Sequence, residues 1–314
     1  MDGIAEILRR HPFAVLDGAF ATELERLGCD LKDTLWSAKA LYERPDLVKK
    51  VHALYLRAGA DIVESAGYQA TIAGFMKKGF SRKEAEELLR LPVRLVKEAC
   101  AAYGEGKSFR PLGAASVGPY GAYLADGSEY TGRYGIGLAE LTAFHRERIE
   151  ILAEEKPDLF AFETFPLLTE AEAVCRVLTD IPGASGWVSF SCRDGQYTCG
   201  GDDIGECAAF LDGVPQITAV GVNCIDPAYG TSLICRIRAR TEKPIVIYPN
   251  SGEIYDPAEK CWHGTPSDFH HLAEVWYAAG ARIIGGCCRT GPEEIRAVAE
   301  VRQAVEEGRP ALGK

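Results

Sequence analysis

The stretch "DLFAFETFPLLTEAEAVCRVLTD", residues 158–180, changes its hydrophobic period halfway along. Its first five residues form a short apolar run of strand length, rich in aromatic side chains. After "ETFP", the segment "TEAEAVCRVLTD" returns Ala, Val and Leu at intervals of three and four, which is the spacing of one buried helix face. A strand followed so closely by a helix is one βα unit, and such units build parallel sheets because parallel neighbours need a crossover.

The same unit recurs on both sides. Further strand candidates are "FAVLD" from 13, "DIVES" from 61, "LGAASV" from 112, "GWVSFS" from 186, "ITAVGV" from 217, "PIVIYP" from 244 and "RIIGG" from 282, eight in all. Between them lie helical periods such as "RPDLVKKVHALYLRAGA", "SRKEAEELLRLPVRLVKEACAAYG", "LTAFHRERIEILAEEK" and "PSDFHHLAEVWYAAGA". No Ser/Gly linker divides them, so the expected fold is α/β, a single (β/α)8 TIM barrel domain spanning residues 1–314. An open doubly wound sheet is the alternative, but no GxGxxG follows the first strand to support it.

Composition narrows the function. With 47% apolar and 25% charged residues the chain is an ordinary globular protein. The formal charge of −10 and the lack of a dense Lys/Arg tract argue against nucleic acid as a partner. "MDGIAEILRRHPFAVLDG" lacks the order of a signal peptide, and no run is apolar for the length of a membrane span. A cytoplasmic protein with no membrane partner is expected, and a monomer, since no dimerisation arm is visible. Eleven cysteines in a reducing compartment point to chemistry or metal binding rather than bridges.

Active sites of this barrel gather at the carboxyl ends of its strands. Those ends carry Asp17, Glu64 with Ser65, Ser116 before "GPYGAY", Glu163 with Thr164, Ser191, Asn223 with Cys224, Asn250 with Ser251, and Cys287 with Cys288. Strands six and eight of a closed barrel lie one strand apart. Cys224, Cys287 and Cys288 can therefore converge although far apart in sequence.

Three thiols beside a cavity suit a zinc ion with an open fourth position. Gly285 and Gly286 precede the pair, and a sharp glycine turn is expected to aim both neighbouring thiols at one metal. Two other readings fit the thiols alone: small buried hydrophobes, or a vicinal redox pair. Zinc held by three thiolates acidifies water weakly and suits a soft fourth ligand, so alkylation of a substrate thiol is favoured over hydrolysis.

Here the motifs meet a known pattern. "LDGAFATELERLG" from 16, "ETFP" from 163, "GVNC" from 221 and "GGCCRT" from 285 resemble the zinc-dependent homocysteine S-methyltransferases, over about residues 12 to 300. "SVGPYGAYLADGSEY" from 116, "LWSAKAL" from 35 and "YPNSGE" from 248 resemble the branch using S-methylmethionine or S-adenosylmethionine. The resemblance implies methylation of homocysteine to methionine, with Zn2+ on Cys224, Cys287 and Cys288. It also implies homocysteine contacts from Asp17 and Glu163 to the ammonium and from the backbone of Gly18 and Ala19 to the carboxylate, with Thr164 and Asn223 beside them. A sulfonium donor asks for aromatic faces or acceptor oxygens, for which Trp36, Tyr120, Tyr123, Glu129, Tyr130, Asn250 and Glu253 are candidates.

None of the six histidines has a metal spacing with these cysteines, and Cys192 and Cys199 are left outside the ligand set. Two competing functions remain. A thiol redox or metal-storage protein leaves Asp17 and Glu163 unused, and a barrel hydrolase using those two carboxylates leaves the three cysteines unused.

Overall fold

The computed structural model describes residues 3–31, 36–256 and 261–309; the side chains of residues 36, 37, 254–256, 261 and 262, including Trp36, lie outside the described set. Eight parallel strands run in chain order: β1 (Ala14–Val15), β2 (Ile62–Glu64), β3 (Leu112–Val117), β4 (Leu159–Phe165), β5 (Gly186–Phe190), β6 (Ile217–Asn223), β7 (Ile245–Tyr248) and β8 (Ala281–Ile284). Each of β2 to β7 pairs with its sequence neighbours, and β8 lies between β7 and β1. A parallel bridge from Leu16 to Ile62 joins β1 to β2. This is the (β/α)8 TIM barrel expected from the periodicity, with every anticipated strand present.

Strand alternation sorts the apolar residues into two layers. On β4, Leu159 and Ala161 join an inner cluster with Ala14, Leu16, Ile62, Ala114, Trp187, Ala219, Tyr248 and Ile283. Phe160 and Phe162 face the larger cluster beneath the helices. The inner positions mix alanines with Trp187 and Tyr248, so small and large side chains together fill the barrel. The helix Gly3–Arg10, which the sequence reading passed over, adds Ile4 and Ile7 to that cluster and plugs the amino-terminal end beneath Leu112.

The long helices follow the sequence closely. Ser81 and Glu84 form a capping box that starts Arg82–Gly104, and Gly59 at φ 111° ends Pro45–Ala58. An antiparallel pair of short strands, Ile254–Asp256 with Cys261–His263, was not anticipated after β7. No helix among the described residues is long and apolar enough to cross a membrane.

One buried residue is a poor fit to its surroundings. His52 is fully buried against Phe20, at 5.3 Å between ring centroids, and neither ring nitrogen has a partner. Burial pushes its pKa down to about 3. Below pH 6.5 the unfolded chain takes a proton that the folded chain refuses, so stability falls as pH drops from 6.5 toward 3, by up to about 1.4 kcal/mol per pH unit. His52→Leu is expected to stabilise the fold by about 1–2 kcal/mol at pH 7, and by more at pH 5. Urea midpoints at the two pH values check this; a variant no more stable than wild type would show that the imidazole is satisfied.

Candidate active site

The carboxyl ends of the strands surround a cavity of about 250 Å³. It is lined by Asp17, Glu64, Glu163, Glu129, Thr164, Tyr68, Tyr130 and the three predicted cysteines, among others, and among the described residues no Lys, Arg or His lines it.

The thiols converge. The Sγ atoms of Cys224, Cys287 and Cys288 all lie within 4.8 Å of one another, and Cys224 and Cys288 are 3.7 Å apart. A tetrahedral ion with metal–sulfur bonds of about 2.3 Å places its sulfur ligands roughly 3.8 Å apart, close to the Cys224–Cys288 separation, so the three thiols are grouped as a metal-ligand set would be. Hydrogen bonds from Cys224 and Cys287 hold the Cys288 thiol well below its ordinary range. Cys287 is pushed up by its contacts with the other two thiols and by burial. For Cys224 the bond with Cys287 lowers the pKa, but the bond with Cys288 and burial outweigh it. The cluster thus favours a thiolate at one sulfur even before a cation arrives.

The backbone that aims these thiols differs from the glycine turn expected from sequence. Gly285 and Gly286 do not have positive φ. A Cβ on Gly285 would meet the carbonyl of Asp17 at 2.7 Å, and one on Gly286 would meet Thr290 Oγ1 at 2.3 Å. The glycines therefore permit close approach rather than a turn. The turn comes at Arg289, at φ 70°, while Thr290 N donates to the Cys287 carbonyl at 3.1 Å. Past the end of β8, the pair is no longer bound by strand alternation: Cys287 N donates to Pro249 O, and Cys288 O accepts from Ser251 N. Cys224 is turned inward by its own left-handed backbone, φ 53°.

The carboxylates form the opposite wall. Asp17 is 2% exposed; its Oδ2 accepts from Glu64 N at 3.0 Å, and its Oδ1 has no partner. Burial, and after it the charge of Glu163, raise its pKa well above the ordinary carboxylate range. Glu163 accepts a short hydrogen bond from Ser116 and is pushed up by burial to about 7. Thr164, at φ 62°, and Asn223 bind each other reciprocally, Thr164 N to Asn223 Oδ1 at 2.7 Å and Asn223 Nδ2 to Thr164 Oγ1 at 2.8 Å. Thr164 lines the cavity, whereas Asn223 is wholly buried behind it as a brace between β4 and β6.

Gly18 lines the cavity, and a Cβ there would meet Tyr55 at 2.9 Å. Ala19 lines the cavity too, and its amide donates to the Thr290 carbonyl at 3.2 Å. Phe20 and Ala21, which follow it along the cavity wall, open the short helix Phe20–Arg26 without a side-chain cap.

The expected donor residues divide. Glu129 and Tyr130 reach the cavity from the loop after β3; Glu129 Oε2 is buried without a partner, and the Tyr130 hydroxyl lies 3.2 Å from Cys224 Sγ. Tyr120 and Tyr123 do not line it. The intervening helix Tyr120–Leu124 turns both rings toward Phe144, at 4.9 and 5.5 Å. Glu253 is held in a two-pronged pair with Arg289, at 3.2 Å for each contact, and the Asn250 backbone N donates to Ile225 O at 3.0 Å. Both are outside the cavity lining. Tyr68, Gln69 and Glu64 do line it and were not chosen from sequence, although Glu64 was legible as a strand end.

The loop bearing Glu129 and Tyr130 has a buried foundation. Glu170 accepts from Tyr120 N at 2.5 Å and meets His145 Nε2 at 2.8 Å, while Arg148 bonds the Gly118 carbonyl and His145. A Cβ on Gly121 would lie 2.3 Å from Glu129 N, so the loop folds back only because that residue is glycine.

Comparison with known proteins agrees with this geometry. The homocysteine S-methyltransferase family model matches residues 14–302. The chain is 48% identical to homocysteine S-methyltransferase YbgG of Bacillus subtilis, covering 95% of this chain and 97% of that one. It is 45% identical to homocysteine S-methyltransferase of Escherichia coli, over 93% and 96% of the two chains. The crystal structure of the E. coli homocysteine methyltransferase MmuM in its metallated form superposes with a TM-score of 0.85, covering 95% and 99% of the chains at 41% identity. The chain belongs to the homocysteine S-methyltransferase family and is a methyltransferase.

Proposed function

We propose that this barrel, acting as a single domain, transfers a methyl group from a sulfonium donor, S-methylmethionine or S-adenosylmethionine, to homocysteine. The product is methionine. The observation that carries this reading is the pairing of a three-thiol cluster with a cavity that holds four carboxylates and, among the described residues, no basic side chain. Such a cavity suits cationic occupants, and both the ammonium of homocysteine and the sulfonium of the donor are cations.

Cys224, Cys287 and Cys288 would hold Zn2+, whose charge, when bound, keeps the homocysteine sulfur deprotonated at neutral pH. Asp17 and Glu163 take the ammonium, and the Gly18 backbone lies where the carboxylate follows. Thr164 stands beside them, braced by Asn223. The donor enters beneath Glu129 and Tyr130, with Tyr68 and Gln69 beside them. A lone pair on the homocysteine sulfur forms the new S–CH3 bond. The old CH3–S+ bond breaks with its electrons going to the donor sulfur, which leaves as a neutral thioether. No general acid is required, and the protein's task is to align the two sulfurs and exclude water.

Thiols kept as ligands need a reducing compartment, which supports the cytoplasm. The test is methyl transfer by reduced, metal-loaded protein from labelled S-methylmethionine, S-adenosylmethionine and glycine betaine. Label is expected in methionine from the two sulfonium donors and not from betaine. Transfer from betaine alone would place the chain in another branch, and transfer from none would sink the reaction.

A further inference from the structure

The assignment above gives the substrate ammonium two carboxylates, yet three converge on its position. The geometry points to Glu64 as a third, direct ligand of the homocysteine ammonium, and so as a residue that restricts the enzyme to amino-acid thiols; this rests on the homocysteine reading.

Glu64 ends β2, two residues after Ile62, which packs in the inner cluster, while Val63 packs in the outer one. The two-residue period turns the Glu64 side chain inward, into the cavity that Asp17 and Glu163 line. Its backbone amide fixes Asp17 Oδ2 at 3.0 Å. The free oxygens are Glu64 Oε1 and Asp17 Oδ1, both sealed from solvent and both without a partner. Burial and then the charges of Glu163 and Asp17 raise the Glu64 carboxyl, which shows that the three groups face one space.

A buried carboxylate oxygen left unpartnered is costly, and two side by side are costlier. Among the described residues no Lys, Arg or His lines the cavity to relieve them, and an ammonium brought by the ligand would. An ammonium carries three N–H donors, one for each carboxylate. Asp17 follows β1, Glu64 and Glu163 stand on β2 and β4, and the three thiols follow β6 and β8, so an amino-acid thiol bridges the barrel mouth from one half to the other. A thiol without an ammonium leaves the carboxylate half unpaired.

Glu64→Gln and Glu64→Leu test this against two acceptors, L-homocysteine and 4-mercaptobutyrate, which has the same thiol and carboxylate but no ammonium. Wild type is expected to prefer homocysteine. In both variants the KM for homocysteine should rise roughly tenfold to a hundredfold, the loss of one charge-assisted hydrogen bond, while that for 4-mercaptobutyrate stays within about threefold. Metal content should be unchanged, and the melting temperature of the ligand-free variants equal or higher, because a buried carboxyl with an unpartnered oxygen has been removed. Parallel weakening of both acceptors, no change in either, or a lowered melting temperature with lost metal would overturn the inference and leave Glu64 a structural brace for Asp17. Failure of wild type itself to methylate homocysteine would instead reject the reading on which it rests.

Discussion

Replacing Cys288 with serine is expected to strip the metal from the protein and to lower methyl transfer on the order of a thousandfold. The figure takes roughly 4 kcal/mol from the 10–16 kcal/mol with which thiolate-rich sites hold zinc. Cys288 is one of three sulfurs grouped around a single point, so its loss leaves only two ligands for the ion. Cys224 and Cys287 variants should behave alike. Cys192 and Cys199, in the loop after β5, are the controls: Cys192→Ser and Cys199→Ser should keep stoichiometric metal, measured by elemental analysis after exhaustive dialysis. Loss of metal from either control would mean that the ligand set is drawn wrongly.

The second large effect belongs to the carboxylate wall. Asp17→Asn and Glu163→Gln are each expected to raise the KM for homocysteine about a hundredfold, since each removes a charge-assisted contact at a site from which water is excluded. Glu163 also gives a pH signature. Its pKa near 7 in the empty site means that below neutrality it carries a proton and cannot fully accept an ammonium. Affinity should therefore rise as pH increases through about 7. Methionine, which has the ammonium but no titrating thiol, isolates the carboxylates: calorimetry should show its affinity rising between pH 6 and 8 in wild type and rising less steeply in Glu163→Gln, where only Asp17 and Glu64 still titrate. An identical rise in both proteins would assign the titration elsewhere.

Much of this was legible in the sequence because barrels obey a simple grammar. The switch from an apolar run to a three-and-four period located each strand, and strand ends gave the addresses of Asp17, Glu163, Cys224, Cys287 and Cys288. What the sequence hid was local backbone. Thr164, Cys224 and Arg289 adopt positive φ without being glycine, so nothing in their residue types flagged the turns that aim this site. Gly285 and Gly286 were visible, but their purpose was not: they admit Asp17 and Thr290 at close range.

The donor wall shows the other limit. Tyr120, Tyr123, Glu129 and Tyr130 share one loop, and sequence proximity alone suggested one role. The one-turn helix Tyr120–Leu124 separates them, packing the first two into an aromatic cluster with Phe144 and leaving the last two at the cavity. Glu64 was visible at a strand end but was given no role, for a related reason. A strand end can point a carboxylate inward or outward, and only the bridge of β1 to β2 and the hydrogen bond to Asp17 reveal which.

The central claim is that homocysteine meets the metal through sulfur at the three cysteines. X-ray absorption at the metal edge of the zinc-loaded protein, with and without L-selenohomocysteine, tests it most directly. The account predicts three sulfur scatterers in the free protein and one added selenium at bonding distance in the complex. A metal environment unchanged by the ligand, or one dominated by oxygen or nitrogen, would contradict it.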